Sequence, residues 1–547
     1  MCYNINMSKI GDYLDQHLVG EVITDGNSRL NFATDSSILS IAPHLIVMPR
    51  VLDDVRKLAR FAWRLAERGQ VLPLTARGYG NDVTGGAITS GVILSFLPHM
   101  NHIMQFDLRS NLILVQPGIT LASLNEAVST HGLMFPIKTS NDQAHTIGGI
   151  LGTNTTGEQF AEYGSALDWV DRLEVVLSNG EVIQTGRLSR RELSEKKGLE
   201  TLEGEIYRNI DSLIEDNPET IDMISAGTVL DNSGFALDRV KNKDGSFDLT
   251  PLFVGSQGTL GIITEVSLNL TPMPKESSMM VAAVTDEQNL SDLTNRLIDT
   301  EPCRLSFIDG DTLRLIRELS GFEPWKMVTK SLPRALVFME YDDKHQGRHI
   351  RQAGKILDSA AVADAKVALT PEDQAVLSAL YDSTAIVNNY IENGSSALPL
   401  VTDLAVAPEN VFDAVDKIRR VLSRNHVQAG IWGNLAAGTI CIKPILNLAS
   451  LGHRQIVFRL LKELTEIANQ FEGSITGGHG AGRLLAPYAH TKYDKETAEV
   501  FLKVEKIFDP FNILNTDVKT LTNQEDLVRY LRKEYSNNRF GMFNPRG

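Results

Sequence analysis

The chain has 547 residues, 42% of them hydrophobic and 22% charged, which excludes a disordered chain, a collagen and a small disulfide scaffold. Its 68 acidic and 53 basic residues leave a net charge of −15, a poor balance for a polyanion binder, so nucleic acid is not its main partner. At about 150 residues per domain the length alone points to three or four domains.

In chain order, residues 50–67 read as a helix with Val51, Val55, Leu58, Ala59, Ala62 and Leu65 on one face. Residues 71–76 read as a buried strand, 78–86 as a glycine-rich loop, and 92–96 and 112–115 as further strands. Residues 121–131 are helical and stop at Gly132. Strands 173–177 and 181–184 flank Asn179-Gly180, the preferred type I′ hairpin turn. Strand 262–270 breaks at Pro272 and Pro274, the expected domain boundary. Beyond it, 335–339 and 439–442 read as strands. Helices cover 408–422, with Pro408 at the N-terminus, and 456–471, closed by Gly473. Alternating helix and strand argue for two mixed lobes.

Three glycine segments carry the chemistry: RGYGNDVTGG (77–86), TIGGILGTN (146–154) and GSQGTLG (255–261). Glycine lets successive backbone N–H groups converge on an oxyanion, so such loops suit a diphosphate. Each alone reads as tight turns; three in one β-rich half point to a ligand. Val83 stands where a Rossmann fingerprint needs its third glycine, and no P-loop pattern occurs.

These motifs, in this order, resemble the FAD-binding domain of the vanillyl-alcohol oxidase / p-cresol methylhydroxylase superfamily: R-G-G-G-T-S-x-x-G-G, then T-I-G-G-x-x-A-T-N-x-x-G, then G-S-E-G-T-L-G-I-I-T-E. The resemblance implies that Arg77, Gly78, Tyr79, Gly80, Asn81 and Asp82 wrap the pyrophosphate of FAD. Thr146, Gly148, Gly149, Asn154 and Gly157 would line its other side, with Gly258, and Ile262 and Ile263 would meet the adenosine end. Covalent relatives often carry a His in the first loop; Tyr79 and Asn81 imply non-covalent FAD. His145 reads as a space-filler, with a flavin contact as the other reading.

The second half resembles the cap of FAD-linked D-2-hydroxy acid dehydrogenases, the D-lactate dehydrogenase and glycolate oxidase group. FDPFNILN (508–515), GSITGGHGAGR (473–483) and GNLAAGTICIKP (433–444) carry that likeness, and the strand 400–407 places Asp403 at one of the family's acids. The family's metal ligands correspond to Asn434, Cys441 and Gly478, a set unsuited to a hard cation, so no metal is expected. A family arginine corresponds to Thr384. His479 survives as the base that takes a hydroxyl proton, and Arg483 and Lys443 are cationic candidates for a carboxylate.

The implied fold is α+β. Residues 1–28 form an N-terminal segment, 29–274 the FAD-binding domain, 275–520 the cap and 521–547 an extension. The extension interleaves Arg529, Arg532, Lys533, Arg539 and Arg546 with Tyr530, Tyr535, Phe540 and Phe543. It reads as a short helix packed on its own protein, a membrane or partner contact being the other reading. Cys2, Cys303 and Cys441 form no C-x-x-C, the start has no apolar core of a signal peptide, and no run of about 20 apolar residues occurs. A cytoplasmic protein is expected. The leading reading is oxidation of a small 2-hydroxy acid, with a quinone, cytochrome or other external acceptor. Action on a different alcohol without a metal, and a non-catalytic FAD-binding subunit, stay open.

Overall fold

Strand and helix signals of the first half assemble into two sheets. The computed structural model describes residues 7–139, 141–225, 227, 229–285, 290–360, 364–519 and 524–535; Cys2, Arg539, Phe540, Phe543 and Arg546 lie outside them. In the first sheet Val92–Ser95 lies between Leu45–Met48 and Leu74–Arg77, parallel to both, and Glu21–Ile23 closes one edge. The helix Leu52–Ala66 packs Val55, Leu58, Ala59 and Ala62 on this sheet, as its apolar face predicts. The strand expected at 71–76 begins only at Leu74: Val71 is exposed, and Pro73 has no N–H for a ladder.

The second sheet is antiparallel, in the order Ile103–Asp107, Leu112–Val115, Ile262–Asn269, Val170–Val176, Val182–Gln184. Its last hairpin corrects the type I′ expectation. Gly180 alone is left-handed, at φ 84°, while Asn179 is not, and Leu177 pairs with Glu181 across a three-residue loop. A left-handed Gly180 at the end of a three-residue loop gives the hairpin its twist without a positive φ at Asn179.

After Pro272, which still pairs with Leu133–Met134, the chain enters a nine-stranded sheet at Ser278–Val284. Its centre is formed by Ala335–Tyr341, Arg304–Asp309, Ala429–Asn434 and Thr439–Leu446, all antiparallel. Val411–Arg424 and Leu451–Gln470 cover one face and contribute Val415, Ile418, Leu460 and Leu464 to its core.

The chain then returns to the first half. Phe508 packs edge-on against Phe253, with ring centroids 5.3 Å apart. Leu74 N–H donates to Ile513 O and Asn515 N–H to Leu74 O, each at 2.7 Å, so residues 513–515 extend the edge of the first sheet. The C-terminal helix Gln524–Tyr530 buries Leu527, as the packed-tail reading expects, and Arg532 Nε donates to Leu39 O. No helix among the described residues is long and apolar enough to cross a membrane.

Candidate functional site

The three glycine segments meet around one groove of about 1030 Å³, open solvent at its mouth included, at the upper end of the size of small-molecule and cofactor sites. Its walls comprise residues 77–82, Thr146, Gly148, Gly149, Gly258, Ile263 and, from the second half, His479.

The first loop leaves the C-terminal end of Leu74–Arg77 and returns into Val92–Ser95. Within it, the main-chain N–H groups of residues 78–83 donate to no atom of the described residues. Five of these six donors, those of residues 78–82, lie on the groove wall, an arrangement suited to an anion. A Cβ on Gly78 would collide with Thr146 Oγ1, so only glycine lets the two walls approach. Asp82 holds the loop's far end, its Oδ2 accepting from Gly86 N at 2.6 Å and Thr84 N at 3.0 Å.

Arg77 contributes backbone rather than charge. Its guanidinium turns away, donating to the carbonyls of Phe32 (3.3 Å), Thr34 (2.9 Å) and Ala87 (3.1 Å). Thr146 caps the helix Ile147–Thr153, and Asn81 Nδ2 donates to Ala144 O at 2.8 Å. Asn154 and Gly157 stand off the groove. Asn154 ends that helix in a left-handed conformation, its side chain bonded to Leu167 N and Asn232, and Gly157 backs onto the Lys138 main chain. Ile262 points into the core, as strand alternation requires once Ile263 faces the groove.

His479 reaches the groove because the strand Val401–Ala405 carries its segment. Ala405 and Ser474 exchange both main-chain bonds, at 2.7 and 2.9 Å, and Gly477 N–H donates to Asp403 O at 2.9 Å. The Asp403 carboxylate accepts the His479 N–H, and its Oδ2 lies 3.2 Å from Nδ1. Burial opposes charge on this imidazole, but the Asp403 carboxylate outweighs it and raises the pKa above the usual histidine value. Nδ1 faces Asp403 as a charge contact without hydrogen-bond geometry, and Nε2 is the ring's other nitrogen.

Lys443, on Thr439–Leu446, is buried with no hydrogen-bond or ion-pair partner among the described residues; burial depresses its pKa, and His479 feels its charge. Arg483 is not a groove residue. It is 2% exposed, and its guanidinium donates to Gly85 O and Thr516 O, each at 2.7 Å, so it braces the loop from behind. At the three positions of the family metal set, Asn434 has both ends of its amide engaged, to Glu158 O and Ala437 N. Cys441 is half-buried, and Gly478 sits against Thr156 Oγ1, too close for a side chain. This donor set does not fit a hard cation.

Two residues were missed by sequence reasoning. Gln257, in a left-handed conformation at φ 53°, accepts from Gly482 N at 2.9 Å and donates to Thr84 Oγ1 at 3.3 Å. It thereby joins the first loop to the His479 segment, a pairing that needs an amide, since a carboxylate cannot donate. The signal was visible as GSQG in place of G-S-E-G. His145, expected to fill space, lines the groove.

Comparison with known proteins identifies both halves of the chain. Residues 43–186 match the FAD binding domain family and residues 273–518 the C-terminal domain of FAD linked oxidases. The chain is 25% identical over 537 residues to D-2-hydroxyglutarate dehydrogenase of Haemophilus influenzae, covering 92% of this chain and 51% of that protein. It is 25% identical to glycolate oxidase subunit GlcD of Bacillus subtilis, over 86% of this chain and 88% of that one. The chain spans about half the length of the D-2-hydroxyglutarate dehydrogenase it matches. Among solved structures, 4-ethylphenol oxidase from Gulosibacter chungangensis superposes with a TM-score of 0.68 at 17% identity, covering 95% of this chain and 98% of that one. p-Cresol methylhydroxylase with substrate bound superposes with a TM-score of 0.67 at 13% identity, covering 94% and 97%. Those likenesses concern the fold. With an FAD binding domain ahead of the oxidase C-terminal domain, the chain belongs to the FAD-linked oxidases.

Proposed function

We propose that the protein oxidises a small 2-hydroxy acid at non-covalently bound FAD. The observation that carries this reading is His479: an imidazole on the wall of the groove, beside a buried carboxylate, and within electrostatic reach of the buried Lys443. The cradle of residues 78–82 would hold the diphosphate. When bound, FAD supplies the two-electron acceptor for the hydride that leaves the substrate carbon. His479 Nε2 takes the hydroxyl proton, and the Asp403 carboxylate stabilises the imidazolium that results. The Lys443 ammonium attracts the substrate carboxylate and orients the hydroxyl toward His479. Tyr79 and Asn81 occupy the loop positions where a covalent attachment would need histidine.

The D-2-hydroxyglutarate and D-lactate dehydrogenases among the relatives support a 2-hydroxy acid. A second reading has one observation in its favour: Asn434 and Gly478 leave no metal to grip a hydroxy acid. On that reading the same base acts on a different alcohol. The holoprotein, mixed without oxygen with D-2-hydroxyglutarate, D-lactate, glycolate and simple alcohols, separates the two. Bleaching of the flavin by a 2-hydroxy acid is the expected result. Bleaching by alcohols only establishes the second reading, and bleaching by none assigns the protein a non-catalytic role. Reoxidation by a quinone or cytochrome in place of oxygen completes the cycle.

A further inference from the structure

Away from the groove, where the two halves touch, three potential metal ligands converge. Glu162, on the short helix Phe160–Tyr163 of the first half, meets Cys303 and Asp342, which flank the neighbouring strands Arg304–Asp309 and Ala335–Tyr341 of the second. One oxygen of each carboxylate and the sulfur lie within 4.8 Å of one another. Cys303 is fully buried and Asp342 is 8% exposed.

A second observation points to a ligand. Asp342 Oδ1 is buried and has no hydrogen-bond partner, whereas Oδ2 accepts from Tyr163 Oη at 3.0 Å. A buried, unsatisfied carboxylate oxygen costs free energy unless a cation or a proton completes it. The surroundings supply more negative charge: Glu162 also feels Asp343, and Cys303 feels Glu340. His349 reaches Asp343, its Nδ1 3.8 Å from Oδ2, and is not one of the three.

We propose that Glu162, Cys303 and Asp342 form a binding site for one divalent cation of the zinc class, pinning the first half to the second. A thiolate with two carboxylates suits a borderline ion such as Zn²⁺ rather than Mg²⁺ or Ca²⁺. Bonds of about 2.0–2.3 Å would draw the ligand atoms to roughly 3.5 Å apart. Any closure this needs falls first to Glu162, the exposed member of the three. The supporting contacts are in place: Tyr163 orients Asp342, and Gln159 Nε2 donates toward Cys303 Sγ at 3.7 Å. Without an ion the cluster must hold protons: burial first, and then Asp342, push Glu162 up to about 8, while burial and then Glu340 raise the Cys303 thiol above its ordinary value. Cation binding releases those protons. The site is separate from the family metal positions and from His479.

Cobalt, with its visible spectrum, is the probe. Chelator-treated holoprotein is titrated with Co²⁺ and read as a difference spectrum against the metal-free holoprotein. The expected result is a thiolate-to-cobalt charge-transfer band saturating near one equivalent. Cys303→Ser should abolish it, Cys441→Ser should leave it, and Glu162→Gln should weaken cobalt binding by ~10-fold or more. Glu162 is exposed, so that variant keeps the fold, and its flavin content should be unchanged. Zn²⁺ should raise the unfolding temperature of the native chain and not that of Cys303→Ser. No saturable band up to millimolar Co²⁺, or a band that survives Cys303→Ser, would overturn the proposal, leaving the cluster as a proton-sharing pair.

Discussion

At the scale of single residues, the pairing of His479 with Asp403 sets the chemistry. Asp403 contributes twice, fixing the main chain at His479 and biasing the imidazole toward its protonated form. A base must start neutral, so the rate of flavin reduction should rise with pH as His479 deprotonates, with a midpoint above 6.5. Asp403→Asn removes the carboxylate and leaves burial, which lowers the pKa. The acid limb of the pH–rate profile should then move to lower pH, measured by stopped-flow reduction of the holoprotein; an unmoved limb would remove Asp403 from this role. The motif GSITGGHGAGR singled out His479 in the sequence, but 76 residues separate it from Asp403, and the strand pairing that joins them is a tertiary fact. Arg77 and Arg483 show the converse. Both belong to the right motifs, yet nothing local says that their guanidinium groups are consumed by the carbonyls of Phe32, Thr34, Gly85 and Thr516.

Among the elements, the cradle loop depends on supports distant in sequence. Arg77 grips residues 32–34 from one side, and the C-terminal segment grips 35–40 from the other. Arg532 donates to Leu39 O and Asp35 O, Tyr535 Oη donates to Ser36 O at 2.9 Å, and Leu531 bridges to Leu39. Asp35 in turn accepts from Ala87 N at the end of the loop, at 3.4 Å. Arg532→Ala leaves two carbonyls short of a donor and should weaken FAD retention by about tenfold, a loss of roughly 1.4 kcal/mol. Release of flavin on dilution measures it; unchanged retention would make the tail a passive covering. Apolar periodicity made most helices and strands legible, because 3.6- and 2-residue spacings report burial directly. The hairpin at 177–181 and the late start at Leu74 escaped it, since both are decided by backbone conformation and ladder donors.

Across the whole molecule, the expected three or four domains reduce to two sheet systems, the first half's paired sheets and the nine-stranded sheet. They are sewn together by the return of residues 508–515 and by Gln257 reaching Gly482. The net charge of −15 argues against anionic ligands in general, yet the groove wall offers local donors, the main-chain N–H groups of residues 78–82, which bond to no other described residue. Short-range hydrogen bonds in a desolvated groove dominate a field that salt screens over about 8–10 Å. The glycine motifs made that groove readable in sequence, because the Thr146 side chain lies so close that only glycine fits at Gly78. The central claim is that His479 is the base for oxidation at this groove. The direct measurement is the anaerobic rate of flavin bleaching by the reactive substrate in His479→Ala against the native chain, at equal flavin content. The account predicts a fall of ~100-fold or more; an unchanged rate would contradict it.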